Sequence, residues 1–143
     1  MSNIQTKSPI TFTGTIDTVT ILDPNGTNPN YVISGSDPFK VKVDWTVAGS
    51  GVPFVGGEWT VRALVESIGK GYEGQIGATI AVALDGRQTY TTTIDVPAGV
   101  PAPVAPNVDA VYKLIVLLSH SQFGVKSPIA GFGEGLYFEI QQP

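Results

Sequence analysis

The residues that could support catalysis are few and poorly arranged for it. The only histidine, His120, lies between Ser119 and Ser121. Neighbouring residues of a strand point to opposite faces, so neither serine is expected to reach the imidazole as an activated nucleophile must. We therefore interpret His120 as a histidine at the surface or rim of a strand end. No cysteine is present, which excludes thiol nucleophiles, thiolate metal sites and disulfides.

Carboxylate and metal chemistry have equally weak candidates. Glu58 and Glu66 share one face of a predicted strand, but at ~3.3 Å per residue they lie roughly 26 Å apart, too far for a glycosidase pair. Residues 23–28 place oxygen ligands around a glycine, yet the later carboxylates and the terminal Glu of a calcium loop are missing. A hydrogen-bonded Asx turn explains the same residues without an ion and is the favoured interpretation. The Gly-rich segments 69–71 and 131–135 do not lead into a helix. We expect no enzymatic activity, no cofactor and no metal.

The elements that must position these residues are strands. Apolar and polar residues alternate over 39–47 and again over 58–67. A third strand, 76–84, runs into Asp85-Gly86, which predicts a hairpin with a return strand over 90–96. The first strand changes phase near Asp17-Thr18, which predicts a bulge or a change of sheet. With 111–119 and 136–140, these segments predict seven strands in one domain, 1–143, in which 1–8 form an N-terminal arm.

One short motif supports a sandwich of two sheets. The segment Ala110-Val111-Tyr112-Lys113-Leu114 resembles the tyrosine-corner region of immunoglobulin-like and fibronectin-type-III-like domains. The resemblance implies that Tyr112 opens a strand and that its hydroxyl bonds back to the corner backbone. It also places Leu114 where immunoglobulin domains have a cysteine. The expected fold is an all-β, immunoglobulin-like antiparallel sandwich of about seven strands, and the resemblance implies no function.

Composition limits the partners and the compartment. Eight Lys+Arg against twelve Asp+Glu give a net charge of −4, which argues against binding nucleic acid through basic charge. Charged residues make up 14% of the chain, against ~25% in an average domain, and the 42% of hydrophobic residues exclude intrinsic disorder. No apolar run is long enough for a transmembrane segment. The N-terminus lacks a conventional signal peptide, so we expect a cytoplasmic protein, unconventional export or a mature exported chain.

The strand phases predict one apolar outer face. If Tyr112 and Leu114 point inward, then Ile115 and Leu117 point outward, where Leu64 and Tyr137 join them by the same count. An apolar outer face is commonly covered, either by a partner or by a loop of the same chain. A second copy of the chain, or another protein, is the expected partner. The leading hypothesis is therefore a non-enzymatic structural or assembly module that self-associates or joins a larger assembly.

Two apolar loops suggest a different hypothesis. In the expected topology, loops 48–57 and 122–135 lie at the same end of the sandwich. They carry Phe54, Val55, Phe123 and Phe132, which could form a binding tip for carbohydrate or a protein. The alternative is that these residues fold over the end of the core. Trp45 and Trp59 fall on the inward phase of their strands, which favours core packing over sugar stacking.

Overall fold

The computed structural model describes residues 12–103, 108–122 and 125–142, of which 126–130, 132, 134 and 135 are described by their backbone alone. Eight strands form within these ranges, together with one turn of 3-10 helix at Val52–Phe54. The strands are β1 (Thr13–Leu22), β2 (Val32–Ser34), β3 (Phe39–Ala48), β4 (Glu58–Ser67), β5 (Gly74–Ala83), β6 (Thr89–Val96), β7 (Ala110–Gln122) and β8 (Val125–Gln141). Within the same ranges, no helix has the length and apolar character needed to cross a membrane.

The strands form two sheets that enclose one core. The three-stranded sheet has the order β1-β3-β6, and the five-stranded sheet has the order β2-β8-β7-β4-β5. All neighbours are antiparallel except β2 and β8, which are parallel. The expectation of about seven strands is corrected to eight. The additional strand, β2, has three residues, which is too short to show a recognisable alternation.

The predicted hairpin at Asp85-Gly86 is wrong. β5 borders the five-stranded sheet beside β4, whereas β6 borders the three-stranded sheet beside β3. The connection is divided between the sheets, since Leu84 N–H donates to the Gly57 carbonyl and the Gln88 carbonyl accepts from Val47. The inner apolar residues of β5 and β6 must be buried in the core. A connection that crosses from one sheet to the other buries them as well as a hairpin within one sheet would. Alternation alone does not distinguish these two connections.

The inner faces of both sheets supply the core, as the alternation predicts. Trp45 on β3 and Trp59 on β4 are 1% and 3% exposed, and their rings meet edge to face with centroids 6.3 Å apart. The phase change in β1 is also confirmed, because the register with β3 shifts between Ile16 and Thr18. This bulge lets both halves of β1 place apolar side chains against the core.

Candidate interaction surfaces

The four residues of the predicted apolar face lie together on the outside of the five-stranded sheet. Leu64 on β4 is directly opposite Ile115 on β7, and Leu117 is the next outward residue of β7. Tyr137 on β8 pairs in register with Lys113, the outward residue of β7 that precedes Ile115. The inward neighbours of these residues are buried, so the strand phases that the sequence predicts are the observed ones. We call Leu64, Ile115, Leu117 and Tyr137 the outer apolar cluster.

The apolar surface extends beyond that cluster. Leu64, Ile115 and Leu117 are half-buried, while Tyr137 is 55% exposed. Towards one end of the sheet, Val111 and Ile68 also remain exposed, and Val32 on β2 lies on the same side, opposite Glu139. Sequence reasoning missed Val32 because β2 was not predicted, and it missed Ile68 because that residue follows the last residue of β4. The outer face is therefore apolar over much of its length.

The outer face of the three-stranded sheet has the opposite character. Threonine hydroxyls and charges cover it: Thr18 donates to Asp44 at 2.6 Å, Thr46 donates to Asp17, and Lys40 forms an ion pair with Asp95. Desolvation raises the pKa of Asp44, but hydrogen bonds from Thr18 and Thr91 and the charge of Lys42 outweigh it and leave that pKa below its ordinary value. This face satisfies its polar groups internally, so the two outer faces differ in what they offer a partner.

Charges are also present on the apolar face: by backbone position Glu134 on β8 is in register with Ile115, and two further charges flank the cluster on β4. Arg62 and Glu66 flank Leu64 along β4, two residues away on either side. In register, Arg62 is opposite Leu117, and Glu66 is opposite Lys113. A positive and a negative side chain therefore both lie on β4 beside Leu64. Neither Arg62 nor Glu66 forms an ion pair with another residue that the structure describes.

Only part of the predicted loop tip is exposed at the end of the sandwich. In the β3–β4 loop, Val52 is 5% exposed and closes the end of the core, while Phe54 is 75% exposed and Val55 is half-buried. The loop thus contributes to the core and to the surface at once. Phe123 lies outside the described residues, so its predicted place in the tip is neither supported nor contradicted.

Phe132 does not belong to a loop, and this prediction is corrected. Residues 125–141 form one long strand, β8, in which Phe132 pairs in register with Leu117. The glycines of this segment suggested turns, but the chain absorbs them in an antiparallel ladder with register shifts near Leu114/Ile115 and Ser119/Ser121. By backbone position, Phe132 lies in the same row as part of the outer apolar cluster.

His120 has a structural environment and not the exposed one that we predicted. Its side chain is 2% exposed, its Nε2–H donates to the Gly56 carbonyl oxygen at 2.6 Å, and its ring meets Trp59 edge to face. The even-numbered residues of β7 face the core, and His120 continues that phase to the end of the strand. Its neighbours Ser119 and Ser121 lie on the other face. The imidazole fastens the β3–β4 loop to β7.

Tyr112 is buried, as a residue of the tyrosine-corner type should be, and within the described residues its hydroxyl bonds to the β4–β5 connection. The ring is 1% exposed, and the hydroxyl is hydrogen-bonded to the backbone of Tyr72 in the β4–β5 connection. Burial raises the pKa of the Tyr112 phenol, and the Tyr72 bond offsets part of this rise. The resemblance implies a bond back to the corner that leads into the tyrosine's own strand, and residues 104–107 of that corner lie outside the described residues. Here the hydroxyl holds a connection from another part of the chain.

The weak calcium-loop candidate is a turn held by its own hydrogen bonds. The Asp23 carboxylate accepts from the Thr27 N–H at 2.9 Å, and the Asp23 carbonyl accepts from Gly26 at 2.9 Å. The Thr27 bond is the main reason why the pKa of Asp23 lies below its ordinary value. Among the residues that the structure describes, no group of three or more metal-ligating side chains could hold an ion.

A groove of about 500 Å³ runs along the border of β5 and β6, but its polar groups are already engaged. Tyr72 donates its hydroxyl to the Gln75 carbonyl at 2.9 Å, and the Gln75 amide donates to the Thr79 hydroxyl at 2.9 Å. Asp95, at the rim, is paired with Lys40. A ligand in this groove would have to displace these bonds, so the outer face of the five-stranded sheet is the stronger candidate.

Comparison with known proteins yields no family for the chain. No family model matches it, and no curated protein matches its sequence. Similar solved structures include a β-glucosidase from Listeria innocua, with a TM-score of 0.49 and 12% identity over 95% of this chain and 16% of that chain. Another is a β-glucosidase involved in saponin metabolism from intestinal bacteria, with a TM-score of 0.47 and 19% identity over 90% of this chain and 16% of that chain. The chain thus spans about one sixth of the length of these structures, and the likeness concerns β-rich architecture alone.

Proposed function

We propose that the chain is a non-enzymatic structural or assembly module that associates through the outer face of its five-stranded sheet. The observation that carries the proposal is the outer apolar cluster, in which Leu64 is in register with Ile115, Leu117 is the next outward residue of β7, and Tyr137 lies on β8 beside Lys113. The matching face of the three-stranded sheet is covered by threonines and charges. Apolar surface concentrated on one sheet face is typical of a face that another molecule covers.

We also propose an immunoglobulin-like or fibronectin-type-III-like arrangement for the fold. Strands β1, β3 and β6 have the places of strands A, B and E of such domains, and β4, β7 and β8 have those of C, F and G. β5 joins the sheet of β4 instead of that of β6. Domains of this architecture serve many functions, so the arrangement supports a module and does not specify its partner.

The proposal that the module is not an enzyme rests on the state of its polar groups. His120 is buried and its Nε2–H is bonded to a backbone carbonyl, which supports a structural role for the imidazole. Glu58 and Glu66 occupy opposite ends of β4, too far apart to act on one bond.

Association at micromolar concentration tests the proposed function. Light scattering should show the wild-type chain associating, and the double substitution Ile115→Lys with Leu117→Lys should give a folded monomer. Both positions point away from the core, so the fold should survive, which circular dichroism will verify. The matched control is Thr89→Lys on the outer face of the three-stranded sheet, which should associate as the wild type does. A wild-type chain that stays monomeric at every concentration, or a double variant that still associates, contradicts the proposal.

A recognition module for carbohydrate or protein is the second candidate, and it is supported by Phe54. This side chain is 75% exposed at the turn Val52–Phe54, on a loop that is otherwise anchored by the buried Val52. An exposed aromatic ring can stack on a sugar or fill a pocket of a protein. A glycan array should then lose its signal with Phe54→Ser and keep it with Phe54→Tyr, which retains the ring. Equal signals for Phe54→Ser and the wild type refute carbohydrate binding through Phe54.

A further inference from the structure

We infer that the partner of the outer apolar cluster is a second copy of this chain, packed face to face about a two-fold axis that crosses the strands at the Leu64–Ile115 pair. The inference rests on the proposed function and adds to it the identity and the orientation of the partner. It is carried by the order of charges along β4.

The outward residues of β4 form a self-complementary row. Arg62 and Glu66 lie on either side of Leu64, each ~6.6 Å from it at ~3.3 Å per residue. A two-fold axis across the strands at Leu64 lays β4 antiparallel over β4 of the second copy. Arg62 of each copy then meets Glu66 of the other, so one ion pair forms on each side of the Leu64 residues.

The neighbouring strand obeys the same symmetry. Because Leu64 and Ile115 are directly opposite each other, an axis through one also passes over the other. Leu117 then lies over Lys113 of the second copy, where the aliphatic part of the lysine can cover it while the ammonium group stays in water. The centre brings Leu64 and Ile115 of both copies together. Along β4 and β7, none of these residues lies over a charge of its own sign. On β8, Glu134 is in register with Ile115 and so its backbone lies on the axis, between the rows that hold Lys113 of its own chain and Lys113 of the second copy.

Sheet geometry permits these contacts. Packed sheets cross at an angle of about 30°, which displaces a residue ~6.6 Å from the axis by about 3.4 Å, within the reach of an arginine side chain. The four long strands at ~4.8 Å spacing and the ten residues of β4 give a flat footprint of roughly 630 Å². Accessible surface exceeds the flat footprint because side chains project from the sheet, so the face is comparable with the ~800 Å² per partner of a standard stable interface.

An axis parallel to the strands is the competing arrangement, and the charges disfavour it. It would place Glu66 over Lys113 and leave Arg62 over Leu117 of the second copy. Within its own chain Lys113 is the register neighbour of Glu66, whereas Arg62 is the register neighbour of Leu117, and neither Arg62 nor Glu66 forms an ion pair with another described residue. Covering a guanidinium costs its hydration energy, and without a carboxylate nearby no ion pair offsets this cost. Only the axis across the strands gives Arg62 an acidic partner.

Charge reversal and mixing test the inference on the full chain by sedimentation velocity. Arg62→Glu alone and Glu66→Arg alone each replace two attractive contacts by two repulsive ones. With about a factor of two for each exposed contact, either variant should self-associate roughly ten- to thirtyfold more weakly than the wild type. In an equimolar mixture the two variants offer opposite charges at both contacts. With one variant fluorescently labelled, the mixture should form heterodimers with close to wild-type affinity.

The inference is overturned if the mixture associates no better than the separate variants, or if each variant alone associates like the wild type. It is likewise overturned if recovery occurs only when Glu66→Lys is mixed with Lys113→Glu, because that result selects the axis parallel to the strands. The Ile115→Lys, Leu117→Lys double variant distinguishes a failure of the proposed two-fold axis from a failure of the proposed function. If it abolishes association while the charge variants fail these tests, the face is correct and the axis is wrong; if it has no effect, the proposed function fails as well.

Discussion

Gly57 joins the β3–β4 loop to β4, and its replacement by alanine tests how closely the loop is held against β7. Its backbone has φ of +89°, and an added Cβ would lie 2.3 Å from the Ser121 carbonyl oxygen and 3.0 Å from His120 Nε2. The nearest atom belongs to the backbone, so it cannot rotate away. Backbone strain of about 1–3 kcal/mol and overpacking of about 1–3 kcal/mol add to an expected loss of about 4 kcal/mol in the free energy of unfolding.

Gly69→Ala is the matched control, because Gly69 also has positive φ, +124°, but an added Cβ would meet nothing within 4 Å. It should lose only the strain contribution, about 1–3 kcal/mol. Urea unfolding followed by tryptophan fluorescence measures both variants, since Trp45 and Trp59 are buried in the core. We expect Gly57→Ala to be less stable than Gly69→Ala by about 2 kcal/mol, with similar denaturant slopes. Equal losses would refute the close contact between the loop and β7.

Two further predictions concern buried and charged groups. Tyr112→Phe should lower the free energy of unfolding by about 1 kcal/mol, because it deprives the Tyr72 backbone of its partner. In the same urea assay, Tyr90→Phe should cost less, since its hydroxyl contact to Asp85 N–H is 3.4 Å long; the reverse order would contradict this. The lowered pKa of Asp44 should stabilise the fold above about pH 4, and this contribution should disappear as the pH falls through the folded-state pKa. The difference in Tm between the wild type and Asp44→Asn should accordingly shrink in acid, and a difference that stays constant would count against the Thr18 and Thr91 bonds.

The core was predictable from sequence because its signal is local. Alternation over 39–47 and 58–67 assigns each residue to a face, and the inward residues, Trp45 and Trp59 among them, are buried. The phase change near Asp17 is visible in the same way, since a bulge moves one residue out of register. Period-2 patterning needs no knowledge of which strand lies alongside.

The pairing of the strands was less predictable because it depends on distant segments. Asp85-Gly86 is compatible with a hairpin and also with a crossing between sheets, and burial under both sheets selects the crossing. β2 forms because its backbone pairs with the edge of β8. This pairing cannot be predicted from the sequence of the three residues of β2 alone. In β8, two register shifts interrupt the alternation, so that a long strand resembles a Gly-rich loop.

The candidate surfaces differ in the same way: the outer apolar cluster follows from local alternation, and the loop tip depends on distant contacts. Strand phase was sufficient to place Leu64, Ile115, Leu117 and Tyr137 on one face, since each position follows from its buried neighbours. The tip was not decided by phase: the turn Val52–Phe54 buries its first residue and exposes its last, and that outcome depends on contacts with the ends of other strands.

A dilution series observed by NMR of methyl groups tests the central claim, association through the outer apolar cluster, most directly. The methyl resonances of Leu64, Ile115 and Leu117 should shift with concentration, because a second molecule covers them. The methyls of buried Val61 and of Thr20, on the outer side of β1, should remain unchanged. Resonances of the cluster that stay constant at all concentrations, or shifts confined to Val55 near the tip, would contradict the account.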